Sequence, residues 1–323
     1  RGTMSARKVL EAVDQYDKFL ICAHTNPDPD ALASQVAFGI FLEGMGKKVV
    51  MISETPVPRR FLFLPGMKRI KPLGKRRRVT YDAAIITDAG ELDRIGEVKR
   101  LLDPQKPIIN IDHHITNHYF GDVDYVLPKS SSTCEVIYGI FKKAGFQFDR
   151  QIAELLYVGA MTDTGSFRYT NTTAQTHRMA AELLEFPISA NDLYKRIYEQ
   201  VPANDLKYFT QVVSRFEFLC GGKIVCVNLA KEIVKKFSEQ FDLRDKIFGY
   251  LRTMEGVEVL VIFTELANGR VRVNFRSQGK MDVARIAEQF QGGGHHKASG
   301  CELSGTMGMV RRKILAEMKK QVC

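Results

Sequence analysis

Residues 19–30 read Phe19-Leu-Ile-Cys-Ala-His24-Thr-Asn-Pro-Asp28-Pro-Asp30. The apolar run Lys18–Ala23 reads as a strand buried on both faces, and it stops at a polar loop, His24–Asp30. Beyond the loop, Ala33, Val36, Ala37, Ile40 and Phe41 recur at helical spacing until Gly44 and Gly46 end the helix. The same grammar then repeats. Lys48–Ser53 is a further strand, and Ala83–Thr87 and Pro107–Ile111 each stop abruptly at an aspartate, Asp88 and Asp112. Ser132 followed by Glu135 fits a capping box opening a helix to about Lys143, and Asp149 caps another to about Thr162. Strands alternating with helices predict an α/β fold with a parallel sheet covered on both faces.

The second half has a different texture. Val257–Glu265 and Arg270–Arg276 are β-rich runs joined through Asn268-Gly269, a hairpin signal. A helix from about Asp282 to Phe290 runs into Gly292-Gly293-Gly294. At roughly 150 residues per domain, 323 residues suggest two domains. The boundaries read from the sequence are 4–195 for the first, 196–215 for a helical linker and 216–323 for a smaller second domain.

Composition narrows the classes. Hydrophobic residues at 45% and charged residues at 26% exclude wholesale disorder and fibrous repeats. The longest largely apolar runs, such as Val257–Phe263 (interrupted by Glu258) and Phe38–Leu42, fall short of the roughly 18 residues a membrane helix needs. The 47 basic residues exceed the 37 acidic ones, for a net charge of +10, which suits an anionic partner or simply a solvated surface such as Lys75–Arg78. Six cysteines without C-x-x-C or framework spacing point to a reducing, cytoplasmic setting without disulfides. Arg1-Gly2-Thr3 before Met4 reads as a tag remnant.

Four elements carry the chemistry: the His24–Asp30 loop, Asp88, Asp112-His113-His114, and Asp163 in Met161-Thr-Asp-Thr-Gly-Ser. In an open α/β sheet ligands bind outside the carboxyl ends of the strands, so loops far apart in sequence converge there. One aspartate after a strand is ordinarily a helix cap; four such elements on one edge suggest a site. They offer imidazoles and carboxylates but no thiolate, a set that suits manganese better than structural zinc. Residues 28 and 30 can face two neighbouring ions, and a carboxylate such as Asp88 can bridge them. Phosphodiester hydrolysis needs an acceleration of roughly 10¹⁵-fold, and two cations about 3.5–4 Å apart can activate a hydroxide and orient the ester.

In order and separation these elements resemble the four motifs of the DHH phosphoesterase superfamily. Val273-Asn-Phe-Arg276-Ser277 and Gly292-Gly-Gly-His295-His-Lys-Ala-Ser-Gly300 resemble its DHH-associated C-terminal domain, and the whole is similar to the NrnA-like group. The resemblance implies an active site in the cleft between the two domains. It implies His24 and Asp28 on one manganese, Asp30, His113 and Asp163 on the other, and Asp88 between them, with magnesium, cobalt or iron as alternative ions. It also implies that His114 faces the scissile phosphate and that Asp112 orients an imidazole. Arg94 resembles a family position too, read here as a helix-surface residue or a supporting partner.

The second domain is expected to clamp the far end of a short substrate. Arg276 can grip a phosphate, with Ser277, His295 and the backbone of Gly292, Gly293 and Gly294 beside it. Those glycines read alternatively as the stop of the preceding helix. Two positions where the family usually has glycine are Pro29 and Ala33, which puts loop geometry in question.

The implied activity is that of a manganese-dependent phosphoesterase. It cleaves short single-stranded oligoribonucleotides to mononucleotides and removes the 3′-phosphate of pAp, with no membrane partner and a homodimer left open. The rivals are a phosphodiesterase for cyclic dinucleotides or linear pApA and pGpG, and a catalytically silent nucleotide-binding module.

Overall fold

The computed structural model describes residues 5–238, 241–266 and 268–322, with only the backbone of His295 and Val322. Residues 1–4, which include the Arg1-Gly2-Thr3 read from the sequence as a tag remnant, and Cys323 lie outside the described residues. The chain divides into two compact units, residues 1–199 and 200–323.

The first unit runs α1 (Ala6–Asp14), β1 (Lys18–Ala23), α2 (Pro29–Gly44), β2 (Lys48–Ser53), β3 (Lys71–Pro72), β4 (Ala83–Thr87), β5 (Ile108–Asp112) and β6 (Val123–Val126). Four helices follow: α3 (Thr133–Ala144), α4 (Arg150–Asp163), α5 (Ala174–Leu183) and α6 (Ala190–Tyr198). The sheet is parallel throughout, in the order β3-β2-β1-β4-β5-β6. Winding proceeds one way from β1 and the other way from β4. The reversal therefore lies between these two strands, where an open sheet leaves a crevice at its carboxyl edge.

The side-chain period of two explains why β1 from Phe19 to Ala23 and β4 from Ala83 to Ile86 are apolar on every residue. Phe19, Ile21, Ala83 and Ile85 belong to a core shared with α1 to α5. Leu20, Cys22, Ala84 and Ile86 belong to another, shared with Ile95, Val98 and Leu101 of a kinked 3₁₀ segment, Leu92–Leu101. Both faces are covered, as predicted, although one cover is 3₁₀ rather than α-helical.

The second unit contains α7 (Ala203–Val213), β7 (Glu217–Leu219), β8 (Ile224–Leu229), α8 (Lys231–Val234), α9 (Leu243–Leu251), β9 (Val259–Glu265) and β10 (Arg270–Ser277). It continues with α10 (Val283–Glu288), β11 (Gly293–His295), β12 (Ala298–Ser304) and α11 (Met307–Val322). Strand order is β11-β12-β10-β9-β8-β7, with β8 and β9 parallel and the other pairs antiparallel. The β9–β10 hairpin falls where Asn268-Gly269 predicts it, with Gly269 at φ 72°. Val271, Val273 and Phe275 pack with α10 and α11, whereas Leu260 and Ile262 pack with α7 and α9. Residues 203–213, read from sequence as linker, form α7 and bury Val212 and Val213 in this unit.

Among the described residues no helix is long and apolar enough to cross a membrane. Cys22, Cys134, Cys226 and Cys301 are free and buried. The expectation of a chain without disulfides is corrected at Cys220, which is disulfide-bonded.

Candidate metal centre

His24 follows β1 directly. Its Nδ1 lies 2.8 Å from the Thr25 carbonyl oxygen, which can only accept, so Nδ1 carries the hydrogen and Nε2 is turned to the carboxylates. That Nε2 stands 3.5 Å from Asp88 Oδ2 and 4.0 Å from Asp28 Oδ2. His113, just past β5, is set the same way. Its Nδ1 is 3.3 Å from the Ser130 carbonyl oxygen, and its Nε2 is 3.4 Å from Asp163 Oδ2 and 3.7 Å from Asp88 Oδ1.

The carboxylates are held by helix ends. Asp28 is the N-cap of α2 and accepts from the Ala31 amide at 3.0 Å. Pro29 occupies the first helical position, where a missing N–H costs nothing and its fixed φ is already helical. Ala33 is buried in the core, so neither departure from the family pattern removes or displaces a ligand. Asp30 is buried, and its two oxygens accept from the Thr133 and Cys134 amides, at 2.8 and 3.0 Å, at the N-terminus of α3. Gly159 lets α4 approach this carboxylate; a β-carbon there would lie 2.5 Å from Asp30 Oδ1.

Asp88 follows β4 in the left-handed region, φ 57°, which a non-glycine residue occupies only under constraint. Its amide donates to Ile111, and the Thr133 hydroxyl donates to its Oδ1 at 2.8 Å. Asp163 is the last residue of α4, the helix end where a negative charge is unfavourable.

Ligand atoms of His24, Asp28 and Asp88 lie within 4.8 Å of one another, as do those of Asp30, His113 and Asp163, and those of Asp88, His113 and His114. Among the described residues no lysine or arginine pairs with Asp28, Asp30, Asp88, Asp112 or Asp163. The electrostatics register this crowding of acids. Burial, then the charges of Asp88 and Asp163, push Asp30 well above the usual carboxylate range. Burial, then Asp88 and Asp28, push Asp163 up to about 8. For Asp88 burial acts upward too, but the hydrogen bond and charge of His24, with His113 and His114, outweigh it and hold the acid well below its usual range. Burial would lower His24, but the hydrogen bond and charge of Asp88 outweigh it and carry the imidazole up to about 9. Crowded acids, a carboxylate at the wrong helix end and two imidazoles with Nε2 turned inward fit divalent cations.

His114 is held differently. Its Nδ1 lies 2.7 Å from Asp112 Oδ1, while Asp112 Oδ2 accepts from Asn117 at 2.6 Å. Asn117 accepts in turn from Asn110, which also donates to Asp124. Burial would lower His114, but the Asp112 hydrogen bond and charge prevail and raise it to about 9. Arg94 is exposed, and its carbonyl accepts from the Thr25 amide at 2.7 Å, beside His24.

Sequence reasoning missed Thr133, Asn117, Gly159 and Asn171, whose amide donates to the Ser131 and Asp163 carbonyls. The N-cap signal at Ser132 was available for Thr133, since it marks free amides one and two residues on, although Glu135 bonds back to Ser131 and does not close a capping box on Ser132.

In the second unit, the Arg276 guanidinium lies 4.9 Å over the Phe248 ring. Ser277, its neighbour on the strand, points to the opposite, buried face and donates to the Gly279 carbonyl. The helix-stop reading of the glycines fails. The left-handed residue ending α10 is Gln291, φ 58°, with the Gly292 amide bonded back to Ala287. Gly292 must be glycine because a β-carbon would lie 2.3 Å from the Gly300 oxygen, whereas at Gly293 nothing lies within 4 Å. Register sets Gly293 beside Gly300 and Asn274, and the His295 backbone beside Ala298 and Arg276.

Comparison with known proteins accords with this geometry. Residues 18–160 match the DHH family, N-terminal domain, and residues 228–322 match the DHHA1 domain. The bifunctional oligoribonuclease and PAP phosphatase NrnA of Bacillus subtilis is 30% identical over 305 residues, 92% of this chain and 92% of the relative. Its namesake from Thermus thermophilus is 31% identical over 300 residues, 92% and 87% of the two chains. The crystal structure of an exopolyphosphatase-related protein from Bacteroides fragilis superposes with a TM-score of 0.90 at 25% identity, covering 98% of this chain and 97% of that one. An acid-and-imidazole cluster at the switch point of such a sheet, in this company, defines a hydrolytic enzyme, a phosphoesterase. The chain belongs to the DHH family, with a DHHA1 domain following the DHH domain.

Proposed function

We propose that this protein is a manganese-dependent phosphoesterase that hydrolyses short oligoribonucleotides to mononucleotides and removes the 3′-phosphate of pAp in the cytoplasm. The observation that carries the reading is the pair of ligand groups, His24–Asp28 and Asp30–His113–Asp163, on either side of Asp88. The names of the relatives from Bacillus subtilis and Thermus thermophilus support the substrate classes. The oxygen-and-imidazole donor set favours manganese.

Two cations bound there would neutralise phosphate oxygens and lower the pKa of water. The protein's own groups supply the rest. Asp30, fixed by two backbone amides, and His24 and His113, fixed through Nδ1, need no rearrangement to present their ligand atoms. His114, turned by Asp112 and Asn117, holds a proton on Nε2 and delivers it to the departing oxygen. In the second unit Arg276, His295 and the exposed backbone at Gly293 recognise the substrate, with Gly292 and Gly294 shaping the strand and Ser277 supporting it.

A panel of 5′-labelled di- to pentanucleotides, a long RNA, pAp, cyclic di-AMP and pyrophosphate, assayed with manganese, tests this reading. Turnover is expected on the short oligonucleotides and on pAp. Preference for the long RNA, or silence on every substrate, would overturn it.

A further inference from the structure

The segment after Asp163 is built unusually. Gly165, Ser166 and Phe167 take φ values of 56°, 64° and 64°, three consecutive left-handed residues, two of them not glycine. The chain thereby folds back on itself. The amides of Arg168 and Tyr169 both donate to the Thr164 carbonyl, at 3.1 and 3.0 Å, so the two residues are tied one position from Asp163. Asn171 fastens the far side of the turn to the Asp163 carbonyl.

The turn presents one charge. Arg168 is exposed, its Nε donates to the Gly165 carbonyl at 2.8 Å, and its guanidinium carbon lies 5.7 Å from the centre of the Tyr169 ring. Tyr169 in turn lies against Gly165, where any β-carbon would strike the ring. With Nε engaged and one face over an aromatic ring, the guanidinium is oriented at low entropic cost. Its two Nη groups meet no acceptor among the described residues, although a cluster of carboxylates begins five residues upstream. A cation whose backbone is tied one position from Asp163, and whose side chain enters no ion pair with that cluster among the described residues, is suited to an anion from outside, and its forked donors match phosphate.

We propose that Arg168 is a specificity residue that binds the phosphate next to the scissile one, with Tyr169 and the Gly165 carbonyl positioning it. This deepens the reading of the protein as a phosphoesterase for short oligonucleotides and rests on it. A substrate with a second phosphate gains the contact; a dinucleoside monophosphate cannot.

The test is equilibrium binding of phosphorothioate-linked ApA, with and without a 5′-phosphate, to full-length wild type and to R168A, R168K and R276A in calcium. Binding does not depend on turnover, so a failure here is distinct from a failure of the substrate panel. The 5′-phosphate is expected to tighten binding to wild type roughly ten- to a hundredfold, an advantage R168A loses and R168K partly restores. R276A is expected to weaken both ligands and keep the advantage. Absence of any advantage in wild type, its survival in R168A, or its loss in R276A but not R168A, would overturn the proposal.

Discussion

The hydroxyl of Thr133 donates to Asp88 Oδ1 at 2.8 Å, the same oxygen that His113 approaches at 3.7 Å. Thr133 thus ties the first turn of α3 to the carboxylate between the two ligand groups, while its own amide holds Asp30. Thr133→Val is expected to lower turnover about tenfold and stability by about 1–2 kcal/mol, through loss of a hydrogen bond to a buried charged group. Thr133→Ser should restore most of both. Steady-state kinetics and chemical denaturation decide it, and an unchanged T133V would leave Thr133 with a packing role alone.

Asp88 itself is best tested with asparagine, which tolerates the left-handed backbone that alanine would strain. D88N should keep its circular dichroism spectrum while turnover falls by roughly a thousandfold or more, as when a group central to transition-state stabilisation is lost. Manganese titration by calorimetry should show weaker binding. Full turnover in D88N would remove the basis of the proposed centre.

Asp112→Asn separates orientation from binding. His114 stands at about 9 because the Asp112 bond and charge outweigh burial, so the substitution moves it back toward 6.5. If His114 is the proton donor, the alkaline limb of the kcat profile should shift to lower pH while KM changes little. A profile that keeps its shape would assign the proton transfer elsewhere.

Metal and pH are linked with a definite sign. His24 and His114 rise from 6.5 to about 9 and Asp163 from 3.8 to about 8 on folding. Raised groups stabilise the folded chain below their unfolded values and lose that contribution as pH climbs through the folded ones. The melting temperature of the metal-free protein should therefore fall as pH rises, the Asp163 contribution being lost from about pH 4 to 8 and those of His24 and His114 between about pH 6.5 and 9. Manganese displaces those protons, so its stabilisation should grow over the same interval, to about 5–10 °C at a hundredfold excess over Kd. Melting curves with EDTA and with manganese at pH 6 and 8.5 would expose a pH-independent increment if this account is wrong.

The glycine run separates packing from recognition. Gly292→Ala should cost about 1–3 kcal/mol by forcing β12 aside, whereas Gly293→Ala should leave the melting temperature unchanged and raise KM for oligonucleotides. Equal effects on melting would assign all three glycines to the fold.

Much of this was legible in the chain. β1, β2 and β4 have the limits that their apolar runs predict; for β1 and β4 this is because strands buried on both faces leave no polar interruption. The histidines and aspartates stood out because they end those runs. β3 has two residues and β6 alternates in burial, so neither offers a comparable run. Thr133 and Gly159 escaped for another reason. A hydroxyl in a helix cap and a glycine inside a helix acquire meaning only from the segment packed against them, and here that segment is Asp88, 45 residues away, for the hydroxyl and Asp30, over a hundred residues away, for the glycine.

Because the ligands span residues 24 to 163 and meet where sheet winding reverses, no fragment emerging from the ribosome can hold the complete set before α4 has docked. Hydrolytic competence is thereby a late event of biosynthesis, since the acid-and-imidazole set closes only once the first unit is finished.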